Sequence, residues 1–342
     1  MSNRAFIVGV SGLALTGEER AFMRAERPWG FILFKRNVDT PAQVAALVSD
    51  LRGSVDEPDA PVLIDQEGGR VQRLGLPHWP SYPPGAVFGA LYDEDAETGL
   101  RAAYVGTRLI ADDLNALGIT VDCLPLADVP VAGADAVIGD RAYGTAPEKV
   151  AQIARAVTRG LEDGGVLPVL KHIPGHGRAT ADSHFRLPTV DTPRDELERT
   201  DFAAFRPLAD LPMAMTAHVV FSALDAAQPA TTSATIINQV IRGAIGFQGL
   251  LMSDDVSMNA LDGSIGERTA AIVAAGCDMV LHCNGKMDEM RAVAAKTPEL
   301  AGEALARAQR ALASRKPPRP FERAAARAEL DELIARAGSL IA

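Results

Sequence analysis

The sequence predicts an α/β protein, a single (β/α)8 barrel with extra C-terminal helices. Three observations predict it. Short apolar runs of strand length recur along the chain, eight in all, with helical stretches between them. The polar residues best suited to chemistry follow the ends of those runs: Asp65, Lys171 with His172, His218 and Asp254. A barrel of this type builds its site on that one face. The alternative, an open doubly wound sheet, needs a glycine-rich first crossover, and no dinucleotide-type pattern is present.

Taken in order, the strands are Ala5–Val10, Phe31–Phe34, Pro61–Ile64, Ile119–Cys123 (with a further run, Leu126–Val129), Val166–Leu170, Met213–His218, Gly249–Met252 and Asp278–His282. Thr40 reads as an N-cap with Pro41 at the first helical position and Gln43 closing a capping box, so a helix runs to about Leu51. The stretch from Leu74 to Glu97 is rich in Pro and Gly, has no clear period and reads as a long loop. Leu100 to Leu117 places Leu109 or Ile110, Leu114 and Leu117 on one helical face, with Gly118 as the stop. Thr145 with Glu148 gives a second capping-box pattern, opening a helix to about Leu161. Further helices are expected over 200–208, 233–242, 265–275, 286–295, 298–314 and 322–336. The expected organisation is one domain, the barrel over about 5–296 and C-terminal helices over about 297–342 packed against it.

Composition narrows the function. A net charge of −10 and a pI near 5.2 argue against nucleic acid as a partner, since phosphate binding needs clustered Lys and Arg. Hydrophobic residues make up 47% and aromatics only 5%, so the core is built mainly from Ala, Val, Leu and Ile. There is no signal-peptide pattern at the N-terminus and no apolar run long enough to span a membrane. Cys123, Cys277 and Cys283 lie on apolar segments and read as buried free thiols. The expected compartment is the cytoplasm, and the expected state is a monomer.

The richest chemistry lies in Lys171-His172-Ile173-Pro174-Gly175-His176-Gly177 and the following Asp182-Ser183-His184, which hold three of the chain's 6 histidines. Pro174, Gly175 and Gly177 call for a loop, and loops held by a rigid strand are where chemistry concentrates. Asp182 and His184, two apart, point the same way if the loop is extended. An Asp beside a His fixes its tautomer and favours its protonated form, which suits a general acid/base. Asp254 on another strand end then suits a nucleophile for double displacement at an acetal carbon. A metal hydrolase is the rival, with His172, His176, His184, His218, Asp182 and Asp254 as ligand types. The His172-x3-His176 spacing would serve zinc only on a helix, which Ile173-Pro174-Gly175 opposes.

The Lys171–Gly177 stretch with Asp182-Ser183-His184 resembles the β-N-acetylglucosaminidase branch of glycoside hydrolase family 3. Ile64-Asp-Gln-Glu-Gly-Gly-Arg-Val-Gln-Arg73, Gly139-Asp-Arg-Ala-Tyr-Gly144 and Met252-Ser-Asp-Asp-Val-Ser-Met258 match in the family's order, over about Phe31 to Asn284. The small single-barrel members are cytoplasmic enzymes of bacterial cell-wall recycling. They remove non-reducing N-acetylglucosamine from muropeptides carrying 1,6-anhydro-N-acetylmuramic acid.

The resemblance implies a retaining β-N-acetylhexosaminidase with Asp254 as nucleophile, His184 as acid/base and Asp182 as its partner. It places sugar binding at Asp65, Arg73, Arg141, Lys171 and His172. No cofactor and no metal are expected, and the partner is the sugar substrate alone. Asp255, next to the nucleophile, is its obvious competitor. Arg178 departs from the acidic residue many relatives carry there. Phosphorolysis and a non-catalytic sugar sensor remain open beside hydrolysis. The loop from Ile173 to His184, with Gly175 and Gly177, is expected to move, carrying His184 in over bound sugar.

Overall fold

The computed structural model describes residues 3–183 and 186–338. Eight parallel strands close into a barrel. In chain order they are β1 (Arg4–Gly9), β2 (Pro28–Leu33), β3 (Val62–Ile64), β4 (Val121–Asp122), β5 (Leu167–Ile173), β6 (Met213–Thr216), β7 (Leu250–Asp255) and β8 (Met279–His282). Each pairs with its sequence neighbours, and β1 pairs with β8 to close the ring, with Phe6 opposite Val280 and Val8 opposite His282.

Strand alternation sorts the apolar side chains into two cores. Ala5, Ile7, Trp29, Leu63, Val121, Val169, Met213, Met252 and Leu281 belong to the cluster that fills the barrel, joined at one end by Leu300, Ala308 and Ala311. Phe6, Val8, Phe31, Leu33, Val62 and Ile64 face the other way and pack against the surrounding helices. The C-terminal helix Arg323–Gly338 lies on the helix Ala96–Ala116. Arg323 pairs there with Asp112 and Asp113, and Leu330 is fully buried. Among the described residues no helix is long and apolar enough to cross a membrane.

Several elements differ from the sequence expectation. A helix, Gly17–Glu26, lies between β1 and β2 where none is expected, opened by a capping box of Thr16 and Glu19. The stretch 74–97 is not a continuous loop: it contains the helix Gly85–Glu94 and the start of Ala96–Ala116, capped by Asp95. Thr145 makes no cap, because Ala146 holds the cap position of the helix Pro147–Asp163 without a side-chain bond. Thr40 does cap, accepting from Gln43 N, but the Gln43 side chain reaches back to Asp39 N and not to Thr40. Where a helix over 233–242 is expected, a 3-10 turn, Ala230–Thr232, is followed by a π-helix, Ile236–Ala244. The second run, Leu126–Val129, forms no barrel strand, although Ala127 N bonds Lys171 O at 2.7 Å. Cys123 and Cys277 are buried thiols, whereas Cys283 is partly exposed.

Candidate active site

The strand ends on one face surround a pocket lined by Asp65, Glu67, Arg73, Arg141, Lys171, His172, Asp182 and Asp254. Seven of the eight residues expected at the site from the sequence are therefore brought together there. The eighth, His184, lies outside the described residues.

The floor is a buried charge network. Lys171, at the end of β5, places Nζ 3.0 Å from Asp65 Oδ1 and 2.6 Å from Glu67 Oε1. Arg73 Nη2 donates to Asp65 Oδ2 at 3.0 Å. Arg141 grips Glu67 with Nε and Nη2, both at 2.8 Å, in the two-pronged geometry that suits guanidinium to carboxylate. Burial raises the Asp65 carboxyl, but Lys171 and Arg73 outweigh it and hold it well below the usual carboxylate range. Glu67 meets the same opposition: burial raises it, and Lys171 and Arg141 bring it down to about 2. Burial would lower the Lys171 ammonium, but Glu67 and Asp65 push it well above its ordinary value. Lys171, Arg141 and the two carboxylates thus stay charged near neutral pH.

Between Asp65 and Glu67, Gln66 fixes the turn. Its Oε1 accepts from Arg73 N and Leu74 N, its Nε2 donates to Leu74 O, and its own N–H bonds Asp122 Oδ1 at 3.0 Å. One side chain thereby sets the separation of Asp65 from Arg73.

A second buried carboxylate, Asp128, orients His172. Its Oδ2 lies 2.7 Å from His172 Nδ1, and its Oδ1 accepts from His176 N at 2.7 Å. Burial raises the Asp128 carboxyl, but His172 beside it brings it down to about 2. An ionised carboxylate only accepts, so His172 Nδ1 carries hydrogen. His176 is buried, with Nε2 3.1 Å from Ser183 Oγ, between Asp182 and His184 in the chain. Burial and the neighbouring His172 push the His176 ring down to about 4.

The glycines of this loop have a packing role. A Cβ at Gly177 would fall 2.1 Å from Val129 O, and one at Gly175 would fall 3.1 Å from Asp201 Cβ. Arg178 donates to Asp201 at 2.6 Å and pairs with Glu196 at 3.0 Å, tying the start of the loop to the helix Arg194–Arg199 and its successor. Arg178 is an anchor.

Sequence reasoning missed Glu67 and Asp128. Glu67 sits two residues after Asp65 at the same strand end, and that repetition was its signal. Asp128 is a lone acid in the apolar run Leu126–Val129, where a buried carboxylate needs a partner. His218, grouped with the strand-end candidates, is fully buried and does not line the pocket. Nor do the histidines have the helical register of a zinc pair, because His172 belongs to β5. Among the described residues no three His, Cys, Asp or Glu side chains form a metal-holding group.

Comparison with known proteins gives the family. The model of the glycosyl hydrolase family 3 N-terminal domain matches residues 10–314. A β-hexosaminidase of Alkalilimnicola ehrlichii is 40% identical over 284 residues, covering 81% of this chain and 80% of its own length. One of Chromobacterium violaceum is 38% identical over 299 residues, covering 86% of this chain and 83% of its own. The fold superposes on NagZ from Neisseria gonorrhoeae in complex with N-trifluoroacetyl-D-glucosamine with a TM-score of 0.85, at 31% identity, over 100% of this chain and 99% of that one. The chain belongs to glycosyl hydrolase family 3.

Proposed function

We propose that the protein is a retaining exo-β-N-acetylglucosaminidase that removes terminal N-acetylglucosamine from 1,6-anhydro-muropeptides. Asp254 attacks the anomeric carbon, and His184, supported by Asp182, protonates the leaving oxygen. The same His184 then activates the water that releases the sugar. Asp65, Arg73, Arg141, Lys171 and His172 hold the terminal sugar. A carboxylate can accept two hydroxyl hydrogen bonds from one ring, and Arg and Lys donate to hydroxyls or a carbonyl. The chemistry calls on no cofactor. We read residues 5–296 with the C-terminal helices as one domain, monomeric and cytoplasmic.

The observation that carries this reading is the convergence of Asp254, Asp182 and five polar sugar-binding candidates in one pocket at the strand ends. It gains support from the relatives, which are β-hexosaminidases, and from the Neisseria enzyme, which was crystallised with an N-acylated glucosamine. The test is turnover of a chromogenic N-acetyl-β-glucosaminide and of a natural anhydro-muropeptide, with and without phosphate or a chelator. Hydrolysis that survives chelation and needs no phosphate is the expected result. Chelator-sensitive turnover would favour a metal hydrolase, a glycosyl phosphate product would favour phosphorolysis, and sugar binding without turnover would favour a sensor.

A further inference from the structure

Asp255 follows the proposed nucleophile, yet both of its carboxylate oxygens are engaged. Oδ1 accepts from Ser257 N at 3.0 Å and from Cys283 N at 3.1 Å, and Oδ2 accepts from Ser257 Oγ at 2.6 Å. Cys283 follows β8, so this side chain ties the end of β7 to its neighbour on one side. On the other side stands His218, which follows β6. Its Nε2 is 3.0 Å from the Asp255 carbonyl oxygen and its Nδ1 is 2.7 Å from Thr231 Oγ1. A carbonyl oxygen only accepts, so Nε2 carries the proton. Thr231 Oγ1 is fixed in turn by Thr216 Oγ1 at 2.8 Å and Ala217 O at 3.0 Å. Asp255 is thus held from both flanking strands. Its own N–H donates to Asp254 Oδ1 at 2.7 Å.

We infer that His218 and Asp255 are positioning residues that aim the Asp254 carboxylate. His218 fixes the carbonyl of Asp255, the Asp255 side chain fixes the other end of the same turn, and the remaining N–H orients Asp254. Rotation of residue 255 would withdraw that N–H, so the aim of the nucleophile depends on a histidine that does not line the pocket. This assigns a role to the buried His218 and gives the second Asp of the Ser253-Asp254-Asp255 motif a purpose other than attack. The inference rests on Asp254 being the nucleophile.

Its test reads the nucleophile directly, as the rate at which a fluorinated N-acetylglucosaminyl donor, slow in its second step, labels Asp254. In His218→Leu that rate should fall by about ten- to a hundredfold, the scale on which small misplacements act. The inhibition constant of free N-acetylglucosamine should stay within about twofold, because only an interaction specific to the transition state is lost. His218→Gln, whose amide can donate to the same carbonyl, should recover most of the rate. Ser257→Ala, a milder change at the turn, should show a smaller loss of the same kind, and it carries the test if His218→Leu does not fold. Full-rate labelling in these variants overturns the inference alone. So does an equal loss of labelling and sugar binding, or a Gln variant as slow as the Leu variant. Wild-type label on another residue overturns the proposed function and the inference with it.

Discussion

Lys171 Nζ lies 2.6 Å from Glu67 Oε1 and 3.0 Å from Asp65 Oδ1, so one ammonium joins the two carboxylates on either side of Gln66. Lys171 is 1% exposed and Glu67 7%, so each charge needs opposite charges beside it. Removing Glu67 takes from Arg141 the carboxylate it grips and leaves Lys171 with Asp65. Glu67→Ala should therefore destabilise the fold by about 3–5 kcal/mol, the usual cost of breaking a buried pair. It should also lower kcat/KM at least about tenfold through displacement of Lys171 and Arg141. Denaturant unfolding and steady-state kinetics check both, and an unchanged midpoint would remove Glu67 from the floor of the site.

His176 gives the fold a pH dependence. Burial and His172 push its ring from an ordinary 6.5 down to about 4. Its folded value is depressed, so between those limits the unfolded chain binds more protons than the native one. Stability from this residue is fully present above the ordinary histidine range and is lost as pH falls towards the folded value. The midpoint of thermal unfolding should drop through that window, and in His176→Gln the drop should be shallower. Parallel profiles for the two proteins would show that His176 does not carry the effect.

How far the sequence disclosed this site depends on the range of each interaction. Asp65, Lys171 and Asp254 could be read because an apolar run followed by a polar residue is a local pattern. The role of Glu67 depends on Arg141, 74 residues away, and that of Asp128 on His172, 44 residues away. No local pattern carries such a partnership. The helix Gly17–Glu26 was missed although its signal is local, the capping box of Thr16 and Glu19. The helix Gly85–Glu94 was hidden by Pro83, Pro84 and its own glycines. Gly85 and Gly89 are there because a Cβ would strike the backbone of Arg141 and Tyr143, a tertiary demand that overrides helix propensity.

Gly177 separates a packing role from a hinge. A Cβ there would meet Val129 O at 2.1 Å, a backbone atom that cannot turn aside. Gly177→Ala should cost about 1–3 kcal/mol of stability through overpacking. It should also depress turnover by shifting the segment that leads to Asp182. A variant as stable and active as wild type would mean that this close approach is not needed.

Acid catalysis by His184 makes a prediction about leaving groups. An activated aryl glycoside needs little protonation, so the loss in His184→Ala should shrink on it relative to the natural substrate when the glycosylation step is followed. Asp182→Ala should show the same pattern in weaker form, at roughly 10²-fold or less on the natural substrate. Equal losses on both substrates would argue that His184 is not the acid.

The central claim is that Asp254 forms a covalent bond to the sugar. Peptide mapping after trapping with the fluorinated donor, together with the anomeric form of the first product from an unmodified substrate, tests it most directly. The account predicts label on Asp254 and release of the β-anomer; label on Asp255, or release of the α-anomer, would contradict it.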